Sequence, residues 1–470
     1  MHVVLTAACF LAALLTTFLR GAGSAFALLY LPVLLLFSQA TAIELPGLPD
    51  AKPPQACIYG ILAGGLLGGR WPRLRPCPVD FIVVLLLFEY ILSALLNESP
   101  AAALSVLGSM CLWLVVPYFV ARCTLEQKRP QREALFALVA TMAVIGSYAL
   151  IEFRLWPHLF LLQLNRLGIG EYAGGLVHHR FGFFRAVASF CHPIDLGISA
   201  ALILAIIFML ATRSGITTRN VWVRLGLGMT VAATLTSASF TPYMGLVGGS
   251  CLYLLLWTVP SARRLLTLGI AIVIALAFAY TAYVASMPLP EQPLGGGAFE
   301  GSLWTRQSVI KQAWGPAATA GAFGRGLEET GELEIKGFDN AYLLITSQRG
   351  LVGLGLWLAL PLCLAAMVSR ALRRARSRSL ARSIIAGFCA SIGTMIAMFT
   401  VWLGFTYSSL LPVVIALTVN GARAAPRVRQ ASARPGSGRT SPLSASRQRP
   451  TAERSPGISG RSQIERSSPR

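Results

Sequence analysis

Thirteen mostly apolar runs, starting near Val3, Ser24, Ala56, Val79, Ala102, Ala134, Val187, Val221, Tyr243, Leu265, Leu351, Ile384 and Thr406, constrain this chain more than anything else in it. A bilayer core takes about 20 apolar residues per helical crossing. Lipid offers no partner to backbone amides, so each crossing satisfies them internally, as a helix. The sequence therefore predicts an all-α polytopic membrane protein with about 12–13 transmembrane helices. The third run, ACIYGILAGGLLGG, is the shortest and the richest in glycine. The first lacks a basic start and an A-x-A site, so it reads as a retained span and not as a cleaved signal.

Composition agrees. Of 470 residues 55% are hydrophobic and 13% charged, against roughly a quarter charged in an average soluble protein. A mean hydropathy of +0.63 leaves too little polar surface for a cytosolic enzyme, a secreted disulfide scaffold or a disordered chain. The nine cysteines are scattered, with no C-x-x-C pair. They read as small core residues, with neither a disulfide framework nor a metal site.

The net charge of +21 is placed too unevenly for nucleic-acid binding. Eleven arginines fall between Arg423 and Arg470, and six more between Arg370 and Arg382. Cations mark the cytoplasmic side of a multi-span protein. With the tail inside, Arg20, Arg70/Arg73/Arg75, Arg122–Arg132, Arg213–Arg224 and Arg263/Arg264 fall inside as well. The expected organisation is a transmembrane helical domain, 1–420, followed by a disordered basic cytoplasmic tail, 421–470, too rich in Arg, Ser, Pro and Gly to bury a core. Such a tail attracts anionic membrane lipids by about 1 kcal/mol per basic residue near the surface.

Two segments on the opposite side, 152–185 and the larger 287–348, exceed what a connection needs, and long ordered loops usually carry function. Arg180 and Arg185 end the first, Arg306 lies within the second, and Arg349 stands at the entrance to the helix that follows it. A guanidinium's planar fork suits phosphate or pyrophosphate; the same arginines can instead pair with Glu328, Glu329, Glu332 or Asp339, or anchor at the interface. Asp339-Asn340 precedes AYLLITSQ, a run too short to span, which reads as an interfacial helix or as the first turns of a longer one. A carboxylate there can act as a base toward a hydroxyl, whereas the spacing alone favours a helix N-cap. His192 and Asp195 open the helix after Arg185 and, at i and i+3, share a face. Glu89, the most deeply placed acid, reads as structural. His178-His179 has no partner at metal-ligand spacing. No P-loop, G-x-G-x-x-G after a strand, or G-x-S-x-G occurs, so a nucleotide-driven cytosolic enzyme is not expected.

Taken in order, several pieces resemble the O-antigen ligase and polysaccharide polymerase superfamily, from about Val79 to Val419. They are FRAVASFCHPIDLG around Arg185, LTSASFTPYMGLVGG, SLWTRQSVIKQAW around Arg306, the FGRGL turn, and DNAYLLITSQRGLVGLGL. The resemblance implies a metal-independent inverting glycosyltransferase of the bacterial inner membrane, without cofactor, its active site facing the periplasm. The donor would be a glycan on undecaprenyl pyrophosphate. The acceptor would be a second glycan or lipid A-core, and a chain-length regulator would be a further partner. It also implies that Arg185 and Arg306 contact the donor's pyrophosphate and that Asp339 stands where the family places its proposed base. Arg180, Arg349, His192 and Asn340 are supporting candidates.

Two positions depart from the family pattern. Ligases to lipid A-core typically carry histidine where this chain has Asp339, so aspartate there looks more like the exopolysaccharide-polymerase branch. The family's Ser-Arg-Gly is here Ser237-Ala238-Ser239, without the arginine. The rival readings are a ligase to lipid A-core or a protein acceptor and, from another class, a glycolipid transporter or flippase. A transporter should show paired broken helices in symmetric halves, and no internal repeat is present.

Overall fold

The computed structural model describes residues 1–37, 42–45, 48–69, 71, 74–169, 179–180, 182–216, 220–288, 298–326, 340–375, 377–398 and 405–425, with the backbone alone at 44–45, 48–50, 298–306 and 405–408. Fifteen helices run through them: α1 His2–Arg20, α2 Ala22–Leu36, α3 Pro53–Gly68, α4 Pro78–Asn97, α5 Pro100–Thr124, α6 Lys128–Arg154, α7 Leu159–Arg166, α8 Pro193–Ser214, α9 Val221–Thr236, α10 Phe240–Thr258, α11 Leu266–Ser286, α12 Ala298–Ala318, α13 Ala341–Arg374, α14 Arg378–Ala397 and α15 Phe405–Ala424. Two small antiparallel pairs join them, β1 Ile43–Leu45 with β2 Leu48–Ala51 and β3 His179–Arg180 with β4 Phe183–Phe184. Among the described residues nine helices are long and apolar enough to cross a membrane, and three shorter apolar ones accompany them. The chain is an all-α polytopic membrane protein.

Each of the thirteen apolar runs lies on a helix. The run placed at Val187 starts its helix later, at Pro193, because His192 caps that helix and proline occupies its first position. Residues Met1–Arg427 form one compact unit, and α15 continues to Ala424, past the expected domain end at 420. The tail from residue 426 onward lies outside the described residues. The two long segments are also more structured than connections: the first contains α7 and the β3–β4 pair, and the second contains α12 and the opening of α13.

Small residues let the helices approach closely, the usual solution where lipid removes the hydrophobic drive between them. The glycine-rich third run shows it best. Gly60 faces Phe10 and Ala13, and Gly64 faces Leu14 and Thr17, so α1 and α3 lie side by side in parallel. On α10 and α14, Gly245 meets Gly393 and Gly249 meets Cys389, an antiparallel contact. In α2 and α5 a wide π-type turn, Phe26–Tyr30 and Cys111–Val115, comes just before Pro32 and Pro117. A proline ring collides with the carbonyl four residues back, and the widened turn relieves that collision.

Contacts sort the helix ends into two sets. At one end Arg423 donates to the Arg75 carbonyl, Arg122 reaches Asn420, Arg213 reaches the Leu417 carbonyl at 3.2 Å, and Ser369 reaches the Arg263 carbonyl at 2.6 Å. Asp80, Tyr118, Arg122 and Asn420 form a buried knot there: Arg122 Nε lies 3.1 Å and Tyr118 Oη 2.6 Å from Asp80 Oδ1. The basic ends that the sequence assigned to one side thus meet one another. At other helix ends Arg185 reaches the Ser237 carbonyl, Asn97 the Phe323 carbonyl and the Ala341 amide the Met398 carbonyl.

Candidate functional site

Glu152, fully buried in the last turn of α6, organises the first long segment. Its carboxylate accepts from three backbone amides, those of Phe160 at 3.1 Å, Val187 at 3.0 Å and Ala188 at 2.7 Å. This ties α7 to the residues ahead of α8. The Ala186 amide adds a bond of 3.0 Å to the Thr236 carbonyl. Arg185 is thereby brought against the turn between α9 and α10.

That turn, Ser237-Ala238-Ser239, receives both arginines. Nη1 of Arg180 donates to the Ala238 carbonyl at 3.1 Å, Nε of Arg185 to the Ser237 carbonyl at 3.3 Å and Nη2 of Arg185 to Ser239 Oγ at 2.6 Å. Ser239 in turn donates to the Ser237 carbonyl at 3.0 Å, which locks the hydroxyl as an acceptor for Arg185. Ala238 holds φ at 43°, in the left-handed region alanine rarely occupies. Its cost is met by the contacts on either side.

Both arginines are partly buried, and among the described residues neither has an ion pair. Burial first, and then the Arg180 charge, push the Arg185 guanidinium down from its ordinary value to about 10. It remains a cation at neutral pH. Two like charges are held together there with guanidinium donors to spare, and among the described residues neither is paired with a carboxylate, an arrangement suited to an anion.

Directly beside this pair an apolar groove of about 540 Å³ runs between α8, α10 and α14. Ile198, Thr241 and Ala397 line the end near the arginines, and Phe208, Tyr253 and Ala386 the far end. Thr241 lies two residues past Ser239, and Gly197 packs against Pro242 and Ser237, so groove and arginine pair share one wall. The glycines of α10 and α14 that permit their close approach line the same space.

The other residues singled out in the sequence fall elsewhere. Arg349 is 3% exposed. It lies over the Tyr90 ring at 4.7 Å, and its Nη1 is 3.4 Å from both Ser93 Oγ and the Tyr90 carbonyl. Gly353 abuts both Arg349 and Glu89, so these two buried side chains share one part of the interior. α13 breaks just after Arg349, at Gly350 with φ 71° and ψ −168°, a conformation only glycine takes without strain. AYLLITSQ is therefore a short helix set off from a long one. The segment Gly321–Gly326 docks onto the break through Arg325 N to Ser347 O at 2.9 Å and Leu351 N to Gly321 O at 3.1 Å.

Asn340 caps α13, its Oδ1 accepting from the Tyr342 and Leu343 amides at 3.1 Å each. His192 caps α8 through Nδ1, which accepts from the Ile194 amide at 3.2 Å. As a cap it stands outside the helical face that Asp195 occupies. Asp195 instead accepts from Cys191 Sγ at 3.3 Å. The backbone of Arg306 lies in α12, which packs on α11 and on the opening of α13, with Ala313 and Ala317 against Leu343; its side chain lies outside the described residues. So do Asp339 and His178. His179 is exposed, its ring 4.6 Å from that of Phe184. Among the described residues no three His, Cys, Asp or Glu side chains gather as a metal site would.

Sequence reasoning missed the receiving turn, the groove and Glu152. The signal for the turn was Ser237-Ala238-Ser239 itself, where a missing arginine marked the place that two other arginines reach. No protein-family model matches the chain, and no curated protein matches it.

Proposed function

We propose that this protein is an inner-membrane glycosyltransferase that polymerises or ligates polysaccharide repeats carried on undecaprenyl pyrophosphate, working at the periplasmic face with its basic tail in the cytoplasm. The observation that carries the reading is the arginine pair without a described counter-charge at the head of an apolar groove. A lipid carrier has the matching parts, an isoprenoid chain for the groove and a diphosphate for Arg180 and Arg185. The ordered resemblance around Arg185, Arg306 and Asp339 supplies the chemistry.

In this reading the acceptor hydroxyl attacks the anomeric carbon from the face opposite the diphosphate. The bond from that carbon to the phosphate oxygen breaks, and its electron pair leaves with the diphosphate. Cationic forks preorganised at that oxygen stabilise the charge developing there, a contribution commonly worth 100-fold or more, about 3 kcal/mol. Asp339 takes the hydroxyl proton, Arg306 adds a second contact to the diphosphate, and the configuration inverts. Asn340, next in sequence, caps the start of α13.

The test is transfer in vitro from a lipid-linked glycan by purified protein. Arg185→Ala and Arg306→Ala should each abolish product while the protein inserts normally; near-normal product from either variant refutes that arginine's role. Asp339→Asn should lower turnover by about two orders of magnitude if it is the base. A deletion strain separates the branches: single-repeat species left without polymer mean a polymerase, and intact polymer stranded on its carrier means a ligase. Movement of the carrier across vesicles without its consumption would instead establish a flippase.

A further inference from the structure

The end of the bundle opposite the Arg185 site holds a second cationic chamber. α8 connects the two: it starts beside Arg185 and ends at Ser214, and its 22 residues extend about 33 Å, the thickness of a bilayer core. The chamber has a volume of about 810 Å³ and is lined by Arg75, Arg213, Arg370, Arg374 and Arg423, with Glu126 as its one acidic lining residue. None of these five arginines has an ion pair among the described residues. Arg213 donates to the Leu417 carbonyl at 3.2 Å, Arg423 to the Arg75 carbonyl, and Arg370 to the Ala366 carbonyl of its own helix at 3.2 Å.

The polar residues around them leave most of this charge uncompensated. Asp80 is committed to Arg122, Tyr118 and the Cys77 amide, and Asn420 to Arg122 and to the Ala121 and Arg122 carbonyls. Glu126 lies 3.7 Å from Arg122, its only ion-pair contact among the described residues, and also attracts Arg213, so one carboxylate faces five lining arginines. Arg370 and Arg374 stand one helical turn apart on α13, an arrangement of like charges that opposes the helix unless an anion lies between them. Basic pockets between spanning helices at the cationic face of a membrane hold phosphate head groups by this chemistry.

We propose that this chamber is a binding site for a ligand bearing two or more phosphate charges, held at the membrane face away from the glycosyl-transfer site. A lipid whose head group carries two phosphates and a soluble diphosphate share that chemistry, and the experiment separates them. Purified full-length protein in detergent is titrated with cardiolipin and with phosphatidylcholine, and bound lipid is counted by native mass spectrometry. Cardiolipin should bind at least tenfold more tightly than phosphatidylcholine. Arg370→Ala/Arg374→Ala should lose at least tenfold of that affinity. Arg224→Ala/Arg378→Ala, which removes two exposed charges from the same end outside the chamber, should lose less than twofold. Both pairs are exposed, and Arg370→Gln/Arg374→Gln repeats the first test with side chains that keep more of the original bulk. Inorganic pyrophosphate added at millimolar level identifies the source: displacement of cardiolipin points to a soluble ligand, and persistence of the lipid points to the head group. Equal losses in the two double variants overturn the proposal, as does equal binding of cardiolipin and phosphatidylcholine.

Discussion

Arg180 and Arg185 donate to the carbonyls of two adjacent residues in one turn, Ala238 at 3.1 Å and Ser237 at 3.3 Å. Five residues apart on a hairpin and the strand-to-helix link after it, they converge because β3 and β4 fold back while Glu152 holds Val187 and Ala188. The turn they grip opens α10, the helix that walls the groove. An anion drawn to the arginines is therefore positioned against the groove's mouth.

The lowered pKa of Arg185 sets a pH window. A cation whose folded value, about 10, lies below its unfolded value holds fewer protons in the folded state. It opposes folding at neutral pH, and that opposition fades as pH rises through about 10 toward the unfolded value. Anion binding has the reverse sign, since it needs the charge. Affinity for inorganic pyrophosphate should be level from about pH 7.5 to 9 and fall at least threefold by about pH 10.5. Arg185→Gln should bind weakly with no such fall. Titration calorimetry at matched ionic strength reads both.

Ala201 lines the groove from α8, and a phenyl ring in its place would occupy the space proposed for the isoprenoid chain. Ala201→Phe should raise KM for a long-chain donor about tenfold and leave a short-chain donor analogue within twofold, at unchanged kcat. Equal effects on the two donors would detach the groove from substrate binding.

Glu152 satisfies three amides at once. Glu152→Ala strands them in the interior and should cost about 3 kcal/mol or more. Thermal unfolding in detergent should show a clear drop in Tm, together with weakened pyrophosphate binding as Arg185 loses its anchorage. Full binding by the surviving folded fraction would show that the arginine is held by the turn alone.

Asp80 and Arg122 are both almost entirely buried, with side-chain exposures of 5% and 1%. Removing one partner leaves the other charge unpaired, at a cost of about 3–5 kcal/mol. Asp80→Asn should thus be more damaging than Glu126→Gln, whose contact with Arg122 is 3.7 Å and exposed on the glutamate side. Denaturation midpoints of the two variants in one detergent give the comparison.

Most spans were legible because each writes its length and hydropathy locally; the glycine-rich run at Ala56 is a helix of 16 residues but is not among those long and apolar enough to cross, with Gly60 and Gly64 accounting for its composition. The facing of basic ends was legible for the same reason, as charge at a span end is a one-dimensional signal. Arg185 and Arg180 could be marked but their receiver could not, since Ser237 to Ser239 come some fifty residues later and act through backbone carbonyls that any sequence possesses. Arg349 illustrates the converse. Its position at a helix entrance suggested the outer mouth, yet Tyr90, Ser93 and Gly353 draw it inward beside Glu89. A groove formed by three helices distant in sequence leaves no local trace beyond its glycines.

The knot around Arg122 has a consequence for biogenesis. Asp80 and Arg122 sit on α4 and α5, while Asn420 belongs to α15, the last helix described. During synthesis the first two helices enter the membrane nearly three hundred residues before the third partner leaves the ribosome. Until then that guanidinium has its carboxylate but not its amide. That polar lock therefore closes only once α15 has been made, so a chain truncated before Asn420 inserts α4 and α5 without the third partner of their buried guanidinium.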